Sequence, residues 1–234
     1  MSASPSPAAA PPAMPASPQD SAQEWLLALH SSSETFGVAA CALGVEGEAP
    51  RCAAFPLGRS LSNQLLPSVE AVLPAALWPR LTRLAVATGP GGFTGTRLSV
   101  VFARTLAQQL GLPLDGVGSF SLIAERLLAE ETAPAEAPFW LVQTLPRRGV
   151  VAGLYAAAAA GEAGVEERRP PRLLRQEALL AELEPTAPRL AAEVVLPADV
   201  ERLLARSRRA AAAAQAAPWQ PVLPLYPTSP VEVP

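Results

Sequence analysis

Apolar residues in the first third of the chain fall in short runs broken by polar or glycine-bearing clusters, a pattern of strands rather than of long helices. Residues 25–29 (WLLAL) end in His30, Ser31, Ser32 and Ser33, which predicts a buried strand entering a turn. Residues 36–43 (FGVAACAL) predict a second strand, Glu46, Gly47 and Glu48 supply a hairpin turn, and residues 51–57 predict a third strand. Together they predict an antiparallel meander.

The period then changes. Leu61, Leu65, Leu66, Val69, Val72 and Leu73 recur at helical spacing, with Ser60 or Ser62 as N-cap, and predict a helix over 60–74. Pro67 falls inside this pattern, either in the first turn of a late-starting helix or at a kink. Residues 83–87 (RLAVA) predict a strand that runs into the glycine-rich stretch 88–97. A helix is expected over 98–110, stopped by Gly111 with Pro113 beyond, and a short strand over 114–117. Strand, helix, strand implies parallel pairing with a right-handed crossover.

Composition shifts after Ser121. An amphipathic helix is expected over 122–130, a loop over 131–138, and strands over 139–144 and 150–155. Beyond them Ala-, Arg- and Glu-rich helices (176–183 and 199–217) alternate with proline-rich joins. The division is therefore a tail over 1–22, a first lobe over 23–120 and a second lobe over 121–234. The tail is Ala, Pro and Ser without a basic residue or continuous apolar core, so it is expected to be disordered and to be neither a secretory signal nor an Arg-rich transit peptide.

Absences exclude several chemistries. The chain has no lysine, which removes the Walker-type phosphate loop. His30 is the single histidine and Cys41 and Cys52 the only cysteines, so no histidine-based or structural zinc site can be assembled. The thiols lie in or near apolar sequence and are expected to be buried and reduced, in a cytoplasmic protein. No apolar run is long and uncharged enough to span a membrane. The net charge is −3, and two short arginine runs (168, 169, 172, 175 and 206, 208, 209) read as solvated faces rather than a nucleic-acid footprint.

The 88–97 stretch carries the most information. Glycines permit positive φ and close backbone approach, and a helix N-terminus favours an anion. Gly91, Gly92, Thr94 and Arg97 are therefore candidates for contact with a phosphate or carboxylate. The alternative is a tight turn that lets the following helix pack closely on a sheet.

Residues 89–97 (GPGGFTGTR) resemble the GPGSFTGxR signature of the TsaB (YeaZ) family. Residues 26–32 (LLALHSS) are similar to its opening strand, 62–67 (SNQLLP) to the start of its first helix, 114–119 (LDGVGS) to its following strand, and 223–226 (LPLY) to its C-terminal tail. The resemblance implies an α/β fold of two lobes, the actin/Hsp70-like ATPase (ribonuclease H-like) type, with a diverged second lobe. It implies a non-catalytic, cytoplasmic subunit, without cofactor or metal, of the complex that makes N6-threonylcarbamoyladenosine in tRNA. Its implied partners are a TsaD-type threonylcarbamoyltransferase and a TsaE-type ATPase, with tRNA met only through the complex, and self-association is a further possibility within the family. The implied contact surface is the first two helices, here Leu61, Leu65, Leu66, Val69 and Val72 on one and Val101, Phe102, Thr105 and Gln109 on the other.

The chain departs from the family where polar chemistry is expected. His30 stands in place of the strand-end Asp, and Leu61 in place of a histidine at the start of the first helix. The second-lobe motif DARxGEVY is replaced at its Asp, Glu and Tyr by Leu145, Val150 and Ala152, while Arg147 and Gly149 remain. A neutral imidazole does not replace a carboxylate on a hard metal, and nothing places a carboxylate to orient His30 as a catalytic base. The alternatives are a small-molecule kinase or ATPase of the same superfold, which needs a magnesium carboxylate, and a homodimeric scaffold without a tRNA role.

Overall fold

The computed structural model describes residues 20–44, 47–146, 148–159, 164–174 and 186–226. Two sheets organise it. The first has the order β3-β2-β1-β4-β5, built from β1 (Glu24–His30), β2 (Thr35–Leu43), β3 (Arg51–Pro56), β4 (Leu81–Ala87) and β5 (Leu114–Val117). β1, β2 and β3 pair antiparallel, as the meander requires, and β4 lies parallel to both β1 and β5. β1 sits between β2 and β4 and is buried on both faces, which explains its unbroken apolar run.

Each face of this sheet has its own cover. Helices α1 (Leu61–Val72) and α2 (Phe93–Leu110) pack on one face, where Leu27, Leu29, Val38 and Val86 meet Leu65, Val69, Val100 and Ala103. Helix α4 (Ala198–Ala212) covers the other, setting Val200, Leu203 and Leu204 against Leu26, Ala28, Ala39 and Ala85. The second sheet has the order β8-β7-β6-β9, from β6 (Phe139–Leu145), β7 (Gly149–Ala157), β8 (Val165–Leu174) and β9 (Arg189–Ala191). Helix α3 (Ser119–Ala129) packs on it through Phe120, Ile123 and Leu127 against Phe139, Leu141 and Tyr155.

Several expectations need correction. α1 begins at Leu61, so Pro67 lies inside the helix and removes the N–H that would bond to the carbonyl of residue 63. α2 begins at Phe93, five residues before the expected start, so half of the glycine-rich stretch is helix. α4 ends at Ala212 rather than 217. β8 lies in a stretch for which the sequence offers no strand, because Glu166, Glu167, Arg168, Arg169, Pro170, Pro171 and Arg172 mask it. It is an edge strand, where charge and proline are tolerated because one side of the backbone faces no ladder. Asp20, placed in the tail by composition, is buried, accepts a 2.6 Å hydrogen bond from Arg51 and belongs to a single 3-10 turn over Asp20–Ala22. A cut near residue 120 separates the two sets of strands, yet α4 returns from the second half of the chain to cover the first sheet. The helix expected over 176–183, and Arg147 and Arg175, lie outside the described residues.

Candidate functional site

β1 ends at His30, and the backbone that follows meets the start of α2. Gly92 donates its N–H to the Ser32 carbonyl at 2.7 Å. A Cβ built on Gly91 would lie 2.1 Å from that same oxygen, and one on Gly95 would lie 2.7 Å from the Ser31 carbonyl. Glycine is needed at both positions because two backbones are in contact there. Buried hydroxyls lock the contact: Ser31 Oγ bonds Ser99 Oγ at 2.5 Å and donates to the Gly95 carbonyl at 2.8 Å, while Ser32 Oγ bonds Ser119 Oγ at 2.6 Å. The loop thus ties β1, α2 and α3 together. The tight-turn alternative describes its architecture.

The four candidates for anion contact divide. Gly92 and Thr94 line a cleft of about 910 Å³ between the two sheets. Gly91 packs on Ser32 instead, and the Gly92 N–H is already committed to a carbonyl. Arg97 turns away, its guanidinium 4.8 Å from the Phe93 ring centroid and 5.9 Å from that of Tyr226. That stacking is a cation–π arrangement. The cleft also receives Glu34 and Arg59 from the first sheet's side and Thr144 and Glu193 from the second's. Sequence reasoning missed these four, because nothing in linear order brings the β3–α1 join beside the end of β6. Among the described residues, no group of three or more His, Cys, Asp or Glu is placed to hold a metal.

His30 is fully buried, and neither ring nitrogen has a hydrogen-bond partner among the described residues. Burial holds its pKa down, from 6.5 to about 4. The folded chain keeps the imidazole neutral where the unfolded chain binds a proton, so stability is full above pH 6.5 and declines as pH falls toward 4. At 1.36 kcal/mol per pKa unit the loss across that window is roughly 3 kcal/mol. Urea titrations at pH 7 and pH 4.5 should show it for the native chain, and His30→Leu should flatten the difference.

Of the residues expected on a partner surface, Leu61, Leu65, Val69 and Val72 belong to the core beneath α1. They are corrected to core positions: a helix over a sheet turns its apolar stripe inward. Leu66 (50% exposed) and Val101 (60% exposed) remain open, as do Thr105 and Gln109, and Phe102 is half-buried against the core and 6.0 Å from Trp78. A further exposed patch was not singled out from the sequence. Phe93 is 50% exposed and its ring lies 5.2 Å from that of Tyr226, beside Arg97. The C-terminal segment reaches this point because Leu225 donates to the Thr88 carbonyl at 2.7 Å and Val222 enters the core.

Comparison with known proteins extends the motif evidence. Residues 47–151 match the family model described as TsaD, tRNA N6-adenosine threonylcarbamoyltransferase. The tRNA threonylcarbamoyladenosine biosynthesis protein TsaB of Bacillus subtilis is 36% identical over 70 residues, which is 29% of this chain and 31% of that protein. The match thus spans about a third of the curated relative. Among solved structures, YeaZ from Pseudomonas aeruginosa superposes with a TM-score of 0.66 at 20% identity, covering 87% of this chain and 99% of that one. A second solved structure from Pseudomonas aeruginosa, described as an uncharacterized protein with similarity to peptidase YeaZ, gives 0.67 at 20% identity over 88% of this chain and all of that one. These likenesses establish the two-lobed actin-like α/β fold. The 89–97 motif, which resembles the TsaB (YeaZ) signature, lies within the stretch that matches the family model described as TsaD.

Proposed function

We propose that the chain is a non-catalytic subunit of the machinery that makes N6-threonylcarbamoyladenosine in tRNA, acting in the cytoplasm by binding and supporting a TsaD-type threonylcarbamoyltransferase. The observation that carries this reading is the loop over 89–97. Its sequence resembles the family signature, and its glycines seat the start of α2 on the Ser31 and Ser32 backbone. The fixed helix then presents Phe93, Arg97 and Val101 to solvent, with Leu66 of α1 exposed on the neighbouring helix and Tyr226 stacked beside Phe93. Exposed aromatic, arginine and aliphatic side chains on rigid elements are what a partner surface offers. In this reading a TsaE-type ATPase joins the complex, tRNA is met only within the complex, and the chain can also form a homodimer.

The test is capture of the cognate TsaD on co-expression, together with threonylcarbamoyladenosine measured in tRNA from cells depleted of this chain. Stable capture and loss of the modification are expected. Leu66→Glu with Val101→Glu should weaken TsaD binding at least about 30-fold, the effect of losing a hot spot of 2 kcal/mol, while leaving the thermal midpoint near its original value. Unchanged modification after depletion would overturn the tRNA role, and micromolar Mg-ATP binding with turnover by the isolated chain would overturn the non-catalytic one.

A further inference from the structure

Among the described residues the chain passes between the two sheets twice, outward through α3 and back through residues 192–198 into α4. Both passages meet at one buried cluster. Arg126 of α3 donates from Nε to Asp199 Oδ1 of α4 at 2.8 Å, from Nη2 to the Glu193 carbonyl at 2.7 Å and from Nη1 to Glu130 at 3.2 Å. The second Asp199 oxygen accepts the Val195 N–H at 2.7 Å. The Asp199 side chain is wholly buried and that of Arg126 nearly so. A second pair, Arg206 with Glu125 at 2.9 Å, joins the same two helices. Asp199 and Arg206 are two turns apart along α4, a span of about 10 Å at 1.5 Å per residue. Leu196, within the return passage, is pressed onto β2: its Cδ2 would lie 2.6 Å from a Cβ on Gly37.

We infer that the α3–α4 contact is a locked hinge that holds the cleft between the sheets at one width. Hinge closure needs a few residues at the crossing points to absorb backbone rotation. Here one passage is α-helix, and the other is bonded at Glu193, Val195 and Asp199 to that helix or to α4 itself. Two ion pairs separated along α4 oppose both sliding and pivoting, which a single contact would not. The inference concerns the chain's own motion and holds whether or not TsaD is its partner.

Spin labels on Arg59→Cys and Thr144→Cys, one on each side of the cleft and both exposed, report its width when Cys41 and Cys52 are replaced by alanine. Double electron–electron resonance on the full chain should give a single narrow distance. Combining Arg126→Met, Asp199→Leu and Arg206→Ala should widen the distribution and add a longer distance. Asp199→Asn, which keeps the shape of the side chain, should do the same to a smaller extent and serves if the combined variant does not fold. A broad distribution in the parent, or a narrow one in a folded variant, would overturn the locked hinge.

Discussion

Gly91→Ala is expected to destabilise the chain by about 3 kcal/mol or more, beyond the ordinary cost of overpacking, because the added methyl meets backbone rather than a movable side chain. Its Cβ would lie 2.1 Å from the Ser32 carbonyl oxygen and 2.8 Å from the carbonyl carbon. Ser32 has little freedom to yield. Its carbonyl accepts the Gly92 N–H, and its hydroxyl is bonded to Ser119 at the start of α3. Moving it breaks a bond at each end. Gly92→Ala is the control: φ there is −56°, and the nearest atom to an added Cβ is 3.7 Å away. It should cost less than about 1 kcal/mol, the scale of a Gly-to-Ala exchange in permitted backbone. An anion cradle would reverse the order, since Gly92 lines the cleft and Gly91 does not. Denaturant midpoints at unchanged slope would decide between them. Equal damage from the two variants would count against the packing account. Under the proposed function a displaced α2 should also weaken TsaD binding, since Phe93, Arg97 and Val101 move with it.

How much of this was legible in the sequence follows from how far each signal reaches along the chain. The first sheet's strands were readable because buried strands are continuous apolar runs, as with Leu26 to Leu29. The early start of α2 was hidden because Thr94, Gly95 and Thr96 are poor interior helix residues in isolation. Gly95 is tolerated there because the Ser31 carbonyl occupies the space of a side chain. β8 was hidden because its charges and prolines suit an edge, and nothing local tells an edge strand from a polar loop. The α1 stripe was legible as a stripe, yet its direction was not: Leu65 and Val69 face the sheet and Leu66 faces solvent. Periodicity gives the existence of a face, and only the packed fold says which neighbour covers it. The cleft, and the meeting of Arg126 with Asp199 from 73 positions away, rest on long-range contacts that no window of sequence contains.

That pair sets up the second large effect. Asp199→Ala should destabilise the chain by about 3–5 kcal/mol, the range for breaking a buried ion pair from one side. The Arg126 guanidinium would keep the Glu193 carbonyl and the half-exposed Glu130, neither of which replaces a buried carboxylate, and the Val195 N–H would lose its acceptor. Burial pushes the Asp199 carboxyl up, against the Val195 N–H and Arg126, which favour its charged form. Removing both charges is a different experiment. Arg126→Met with Asp199→Leu leaves no uncompensated ion and replaces the pair with apolar volume. Such exchanges are often neutral, so this double variant should lie within about 1 kcal/mol of the parent despite the damage done by Asp199→Ala alone. Stability and rigidity then separate: the double variant would retain its denaturation midpoint while losing the bonds that fix the crossing between the sheets. If it instead unfolds as readily as Asp199→Ala, the pair contributes to stability in its own right.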